Sequence, residues 1–173
     1  RLTLDATYFN NRITDLIQGS GITSRNLNGT SKIQGLELAL DAKLVRELTL
    51  NGQYTYTNTK DANGTELVRR ARHMASLNMS YGFLDDRANL NLGIDYTGEQ
   101  RDIQFSNFFA TSSAVTLDDF VLLGVAGSYR LTDNIKLTAR LENLLDQDYQ
   151  EVLGFDAPGI GAYVGVRTTF RLP

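Results

Sequence analysis

The sequence predicts an all-β protein, an antiparallel transmembrane β-barrel of about eight meander strands with short periplasmic turns and long extracellular loops. Three features predict this fold class: apolar residues recur at every second position, short and long connections alternate along the chain, and tyrosine and phenylalanine lie near the predicted strand ends. The chain has a mean hydropathy of -0.24 and no run of about 18 apolar residues, so a membrane-spanning helix is excluded. A membrane β-barrel remains compatible with the low mean hydropathy and with the lack of a long apolar run, because only every second residue of its strands needs to be apolar.

The composition excludes or disfavours several other kinds of protein. The 173 residues carry a net charge of -3 and include no cysteine. This charge disfavours a nucleic-acid-binding protein, which needs a basic face, and the lack of cysteine excludes disulfides and thiolate metal sites. No signal peptide is visible in the sequence, and it starts at Arg1 in mid-pattern rather than at a methionine, so we expect a mature fragment or an excised domain.

The predicted strands follow one another as a meander. Residues 2–8 form the first strand, whose alternation is lost after Phe9. A strand over residues 120–131 is less regular, because Phe120 and Leu122 are apolar on the face that is otherwise polar. The regular period-two segments cover residues 36–44, 48–57, 73–83, 89–96, 135–142 and 162–171.

The connections fall into two length classes. The short ones cover residues 45–47, 84–87 and 131–134. The long ones cover residues 18–31, 58–70, 98–118 and 146–161. This segregation is typical of an outer-membrane barrel, whose turns lie in the periplasm and whose loops lie outside the cell.

Alternation alone does not show which face of the sheet points outward. In a membrane barrel the apolar face meets lipid, whereas in a soluble barrel it points inward; the loop asymmetry favours the membrane barrel. The aromatic residues then expected at the two lipid–water boundaries are Tyr8, Tyr54, Tyr56, Tyr81, Phe83, Tyr96, Tyr129 and Phe170. The charged residues then expected to line the lumen are Glu37, Asp41, Lys43, Lys136, Arg140, Glu142, Arg167 and Arg171.

Several motifs resemble those of one family, and they occur in its order. The pattern Asn-Leu-x-Asp-x-x-Tyr ends a strand at residues 143–149, and an aromatic–x–x–Pro–Gly element follows at residues 155–159. Residues 69–73 resemble an Arg-x-Pro-x-His segment, with Ala71 in place of proline. Three further segments resemble parts of the same family: a Gly-apolar-Glu-apolar strand at residues 33–38, a strand-to-loop passage at residues 9–17, and the closing strand at residues 163–170. Together these motifs resemble the C-terminal barrel region of TonB-dependent outer-membrane receptors of the siderophore and cobalamin type.

The resemblance implies that residues 1–173 are the C-terminal part of such a barrel, with the plug domain absent from this chain. Full receptors of the family have about 22 strands around a plug. The implied function is TonB-dependent uptake, in the bacterial outer membrane, of a scarce nutrient such as an iron–siderophore complex or cobalamin. The implied partners are outer-membrane lipid and lipopolysaccharide, the nutrient chelate, and TonB acting through the plug. Neither enzyme activity, a cofactor nor nucleic acid is implied.

Candidate site residues fall into two groups. The ligand-contact candidates combine aromatic and polar side chains in one loop, although that loop's rings could instead pack on each other: they are Arg101, Gln104, Phe105, Asn107, Phe108 and Phe109. The structural motif residues implied by the resemblance are Arg69, Arg70, His73, Asn143, Asp146, Tyr149, Pro158, Gly159 and Phe170. We expect His73 to be a strand-entry ring rather than a metal ligand. Arg69, Arg70 and Arg72 either contact anionic groups or stay solvated, and no catalytic constellation is present.

Two alternatives stay open from the sequence. The predicted strands could close into a small membrane barrel that serves as an anchor or adhesin, which requires pairing between residues 2–8 and 164–170. They could also form a soluble barrel that carries a hydrophobic ligand, with the alternating leucines in a central apolar core.

Overall fold

The computed structural model describes residues 1–20, 23–105 and 112–170. These residues form twelve β-strands. The strands are β1 (Leu2–Ser20), β2 (Thr23–Lys43), β3 (Leu48–Lys60), β4 (His73–Phe83), β5 (Ala88–Thr97), β6 (Gln100–Phe105), β7 (Ser112–Leu117), β8 (Phe120–Arg130), β9 (Ile135–Glu142), β10 (Gln150–Val152), β11 (Phe155–Asp156) and β12 (Gly161–Thr168). The described ranges contain no helix long and apolar enough to cross a membrane.

Eight strands form one antiparallel sheet in the order β1-β2-β3-β4-β5-β8-β9-β12. The predicted meander of about eight strands is therefore confirmed. The hairpins β6–β7 and β10–β11 are separate two-stranded sheets, inserted where the chain passes between neighbouring strands. Within the described residues β1 pairs only with β2, and β12 only with β9. The sheet thus has two open edges, and the pairing that a self-closed small barrel requires is not found.

The strand register brings the alternating apolar residues onto one continuous face. One row across the sheet shows this: its members, each directly opposite the next, are Leu4, Leu40, Gly52, Leu77, Ile94 and Leu123. Side chains on this face are exposed or half-buried, and the most exposed include Leu4 at 70% and Val164 at 90%. The buried apolar residues of the described chain are only Ala42, Ala71, Ala88, Leu117 and Phe120. The central core of leucines that a soluble barrel would need is therefore not present in this part of the chain.

The aromatic residues divide between the two ends of the sheet. Tyr8, Tyr54, Tyr56 and Tyr96 lie on the apolar face towards the long loops, and Tyr81, Phe83, Tyr129 and Phe170 lie towards the short turns. In β4, Phe83 lies ten positions after His73. At about 3.3 Å per residue and a tilt of about 45°, this length spans roughly 23 Å across a membrane, close to the apolar band of about 25 Å in known barrels.

The extent of the first two strands differs from the prediction. Residues 18–31 were predicted to be a loop, but β1 and β2 continue as a paired ribbon to Ser20 and from Thr23. The pairing shifts between Thr14 and Leu16, where Asp15 has a φ of 53°. The pairing stays in register from Phe9 to Thr14, so the alternation is lost after Phe9 although the strand and its register continue.

Candidate functional site at the loop end of the sheet

The long connections meet at one end of the sheet, opposite the end with the turns. The connection between β3 and β4, the hairpin β6–β7 and the hairpin β10–β11 all lie at this end. Hydrogen bonds join these three connections, so they can be described as one assembly rather than as three independent loops.

A buried carboxylate lies at the centre of this assembly. Asp102 of β6 is fully buried, at 0% exposure. Its Oδ1 accepts a hydrogen bond from Arg69 Nε at 3.0 Å and one from the Ile103 backbone N–H at 2.7 Å. Its Oδ2 accepts one from the Leu153 backbone N–H at 2.8 Å. We call the group Arg69, Asp102 and Leu153 the Asp102 clasp.

Backbone contacts reinforce the clasp on both sides. The Arg69 N–H donates to the carbonyl oxygen of Arg101 at 2.7 Å, and Arg69 has a φ of 56° in the left-handed region. On the other side, Gln100 Nε2 donates to the carbonyl oxygen of Glu151 at 2.9 Å. The hairpin β6–β7 is therefore held at two points to each of its neighbours.

The surroundings of Asp102 determine its charge. Burial by itself raises the pKa of this carboxyl, but the N–H groups of Leu153 and Ile103 and the Arg69 guanidinium together hold the pKa below its ordinary value. Asp102 is therefore ionised at neutral pH and forms a charge-assisted contact with Arg69. The sequence analysis did not single out Asp102, because its partners are 33 and 51 residues away and no local pattern marks it.

A second cluster forms from the motif that follows β9. Asn143, only 7% exposed, donates through Nδ2 to the carbonyl oxygens of Gln147 and Pro158, at 3.0 and 3.2 Å. Its Oδ1 accepts a hydrogen bond from the Gln147 N–H at 2.9 Å. Asn143 also has a φ of 48°, which asparagine tolerates better than most residues.

The remaining motif residues complete this cluster. Asp146 Oδ1 accepts a hydrogen bond from the Ile160 N–H at 3.0 Å, and a Cβ on Gly159 would approach that same oxygen to 2.8 Å. The Tyr149 ring lies against the Phe120 ring, with centroids 4.4 Å apart, and burial raises the pKa of Tyr149. The structure therefore brings Asn143, Asp146, Tyr149, Pro158 and Gly159 together in one connection.

The connection that contains this motif borders a hollow on the polar face of the sheet. A hollow of about 830 Å³ is lined by polar-face residues of β3, β4, β5, β8 and β9 and by residues 158–161. Its polar lining includes Asn51, Asn78, Asn91, Asp95 and Arg140. Side chains that can donate or accept hydrogen bonds therefore line part of this space, beside apolar residues such as Leu122 and Ile160.

The predicted basic cluster does not act as a unit. Arg69 contacts Asp102, Arg72 pairs with Glu66, and Arg70 Nη1 donates to the carbonyl oxygen of Arg69 at 2.9 Å. The guanidinium groups of Arg69 and Arg72 therefore already have carboxylate partners, which leaves Arg70 as the member without a carboxylate within 4.0 Å in the described residues.

His73 lies among aromatic rings at the loop end. Its Nδ1 is 2.8 Å from Tyr54 Oη, and its ring centroid is 5.2 Å from that of Tyr56. Both tyrosines belong to the neighbouring strand β3 and to the apolar face. Phe170, the other terminal motif residue, follows β12 at the turn end and is 83% exposed.

The ligand-contact candidates fall only partly within the described chain. Arg101, Gln104 and Phe105 lie in β6, which pairs with β7, so this part of the predicted loop is a hairpin. Gln104 and Phe105 are exposed, and Arg101 is half-buried beside the Asp102 clasp. Asn107, Phe108 and Phe109 lie outside the described residues.

Comparison with known proteins identifies similar sequences and folds. Residues 1–144 match the family model described as TonB dependent receptor-like, beta-barrel. The chain is 27% identical over 169 residues to the vitamin B12 transporter BtuB of Vibrio cholerae, a match that covers 95% of this chain and 26% of that protein.

Solved structures show the same architecture. The pyoverdine outer membrane receptor FpvA from Pseudomonas aeruginosa, bound to pyoverdine, superposes with a TM-score of 0.81 at 19% identity, covering 98% of this chain and 27% of that one. The siderophore receptor PiuA from Acinetobacter baumannii superposes with a TM-score of 0.75 at 20% identity, covering 96% of this chain and 26% of that one. The chain spans about a quarter of the length of each of these proteins.

Proposed function

Because this chain belongs to the family of TonB-dependent receptor-like β-barrels, we propose that it supplies the C-terminal part of the barrel of a receptor for nutrient uptake. The family consists of receptors and transporters of the bacterial outer membrane, and the chain is a segment of such an outer-membrane barrel. Residues 1–173 then form wall, turns and outer loops, while a plug elsewhere in the receptor carries the contact with TonB. Under this proposal the chain has no enzymatic role.

The two-faced sheet is the observation that carries the proposal. Eight strands in register present leucine, isoleucine, valine and tyrosine on one exposed face and amides, hydroxyls and charges on the other. Soluble monomers rarely expose an apolar surface of this extent, whereas a membrane barrel places it against lipid. The polar face then encloses a wet interior, with lipid and lipopolysaccharide contacting the outside.

The outer loops are the part of the chain best placed to contact a nutrient. The Asp102 clasp orders the hairpin β6–β7, which carries Arg101, Gln104 and Phe105. A guanidinium, an amide and an exposed ring on one short strand suit a large ligand with anionic and apolar parts. Iron–siderophore complexes and cobalamin have this character, and the relatives described above take up or bind such ligands.

Transport by the full-length receptor tests the proposal. The receptor is produced in a bacterial host that lacks its own cobalamin and siderophore receptors, and uptake of radiolabelled cyanocobalamin and ferric siderophores is measured with and without TonB. We expect one labelled ligand to accumulate only when both receptor and TonB are present. Equal accumulation without TonB, or none above the empty-vector level from receptor shown to be in the outer membrane, would contradict the proposal.

A further inference from the structure

Three cations stand side by side at the loop end of the first three strands. Arg12 of β1 is directly opposite Lys32 of β2, and Lys32 is directly opposite Lys60 of β3. All three side chains are exposed. The pairing stays in register from this row back to the middle of the sheet, so the three cations lie on the same face as the alternating apolar residues of their strands. We call these three residues the outer basic row.

The outer basic row lies just beyond the tyrosines of the loop end. Four positions closer to the middle of each strand, the same face carries Tyr8, Leu36 and Tyr56, which are directly opposite one another. Four residues of a tilted strand correspond to about 9 Å along the membrane normal. A row of amides lies between the tyrosines and the cations: Asn10, Gln34 and Asn58. The face therefore changes from apolar to aromatic, amide and cationic in the order in which a bilayer changes from hydrocarbon to charged headgroups.

Such a row is unfavourable unless something compensates it. Like charges directly opposite on neighbouring antiparallel strands repel each other and destabilise the pairing. Among the described residues, the ion pairs within 4.0 Å include no member of the outer basic row. Asp61 directly follows Lys60, but its Oδ1 accepts hydrogen bonds from the N–H groups of Asn63 and Thr65, at 2.9 and 2.8 Å, within its own turn. We therefore expect the compensating negative charge to come from outside this part of the chain.

We propose that the outer basic row binds the phosphate groups of lipid A, the membrane anchor of the lipopolysaccharide in the outer leaflet. This inference rests on the proposed function, because it takes the apolar face as the side that meets lipid and the loop end as the outer side. Lipid A carries its phosphates on sugars directly above the acyl chains, which matches the position of the cations beyond the tyrosines. Neighbouring strands are about 4.8 Å apart, so the row spans roughly 10 Å and contacts phosphate oxygens without a bridging metal ion.

Binding of lipid A to the purified full-length receptor tests this site. The receptor is kept in an uncharged detergent with EDTA and titrated with fluorescent lipid A that carries two phosphates, and fluorescence anisotropy gives the Kd. We expect saturable binding that persists in EDTA and weakens as the salt concentration rises. Lipid A without its phosphates has the same acyl chains and is expected to bind at least about 10-fold more weakly. Equal binding of the two forms to the wild type would overturn the assignment.

Substitutions in the row test which residues hold the phosphates. Lys32→Gln is expected to raise the Kd for phosphorylated lipid A about 5-fold, and the triple variant Arg12→Gln, Lys32→Gln and Lys60→Gln roughly 100-fold. An unchanged Kd in both would overturn the assignment, and Lys32→Gln alone decides if the triple variant does not fold. The matched control removes three cations that are also directly opposite one another but lie on the polar face, and it should bind like the wild type: Arg130→Gln, Lys136→Gln and Arg167→Gln.

The binding measurement separates this inference from the proposed function. Uptake of nutrient is measured in cells, whereas the Kd for lipid A is measured on purified receptor, so neither result depends on the other. A receptor that transports its ligand in a TonB-dependent manner but binds lipid A equally well with and without the outer basic row rejects the lipid A site alone. A receptor that binds lipid A through the row but shows no TonB-dependent uptake rejects the proposed function and retains the lipid A site.

Discussion

Arg69 and Asp102 are 33 residues apart in sequence, yet Arg69 Nε donates to the buried Asp102 carboxylate at 3.0 Å. The contact joins the connection after β3 to the hairpin β6–β7, and Leu153 adds the hairpin β10–β11 from a further 51 residues along. One ionised side chain therefore fixes the relative positions of three outer connections.

Replacing Asp102 with alanine is expected to loosen all three connections. The Leu153 N–H loses its acceptor, and Arg69 loses its carboxylate partner. The free energy needed to open these connections locally should therefore fall by about 1–3 kcal/mol. Amide hydrogen exchange at Leu153 in the full-length receptor should accelerate by roughly 5–150-fold. The control Asp133→Ala removes an exposed acid from a turn at the other end and should leave Leu153 unchanged. Unaltered exchange at Leu153 in Asp102→Ala would show that the clasp does not hold the loops.

The clasp is expected to survive mild acid. Because the pKa of Asp102 is lower in the folded protein than in the unfolded one, the unfolded state binds protons first and stability falls as the pH decreases. Its contribution is complete above the unfolded pKa of about 3.9 and is lost as the pH falls from there through the folded pKa. Exchange protection at Leu153, corrected for intrinsic rates, should stay constant from about pH 7 to pH 5. If exchange protection at Leu153 were lost over the same acidic pH range in Asp102→Asn as in the wild type, the loss would belong to a group other than Asp102.

Asn143 is expected to be required for the structure of the connection after β9. Alanine at this position loses the three hydrogen bonds of the amide and must adopt a φ of 48°, which we expect to cost about 2–4 kcal/mol of unfolding free energy. Glycine accepts this φ but also lacks the amide, so Asn143→Gly should be intermediate. Denaturant unfolding of the receptor in lipid vesicles measures the unfolding free energy of both variants. Equal stability of Asn143→Ala and the wild type would rule out this role.

Neighbouring residues of β4 distinguish the lipid face from the interior. Leu77 lies on the apolar face in mid-strand and Asn78 on the polar face. Leu77→Arg is expected to destabilise the folded receptor in vesicles by about 2–4 kcal/mol, the usual effect of arginine facing the bilayer midplane. Asn78→Arg, the matched control, should have a much smaller effect because it stays in water. If Asn78→Arg destabilised the receptor more than Leu77→Arg did, the polar face rather than the apolar face would meet the lipid.

Phe105 tests the nutrient-contact hypothesis. Its ring is 49% exposed in β6, beyond the clasp. If the ring contacts the nutrient, Phe105→Ala should raise the Kd for whichever labelled ligand the receptor takes up by about 5–30-fold, which corresponds to about 1–2 kcal/mol. Phe83→Ala, at the turn end, should leave the Kd unchanged. An unchanged Kd in Phe105→Ala would assign binding to other residues.

The sequence was sufficient to predict the sheet but not the outer connections. Alternation identifies strands such as β4 because one face of each must meet an apolar environment along its whole length. The ribbon formed by the distal parts of β1 and β2 has no such requirement, since its pairing depends on backbone hydrogen bonds. The hairpins β6–β7 and β10–β11 are short and likewise lack a clear period.

The candidate site was predictable only where a motif is local. The residues from Asn143 to Gly159 bond to one another within one connection, so their spacing in sequence already contains the information. Asp102 is different, because its burial and its charge depend on chain segments that meet only after the sheet has formed. Alternation also leaves open whether the sheet closes, which only the pairing of β1 and β12 decides.

The unpaired edges of β1 and β12 have a consequence for biogenesis. Each edge presents backbone N–H and C=O groups through the thickness of the membrane, and such groups cost several kcal/mol each when they meet hydrocarbon without a partner. Partial insertion of this segment is therefore strongly disfavoured. We expect a receptor in which either edge lacks its partner strand to be rejected by the insertion machinery and degraded, so that cells contain the fully integrated protein or none.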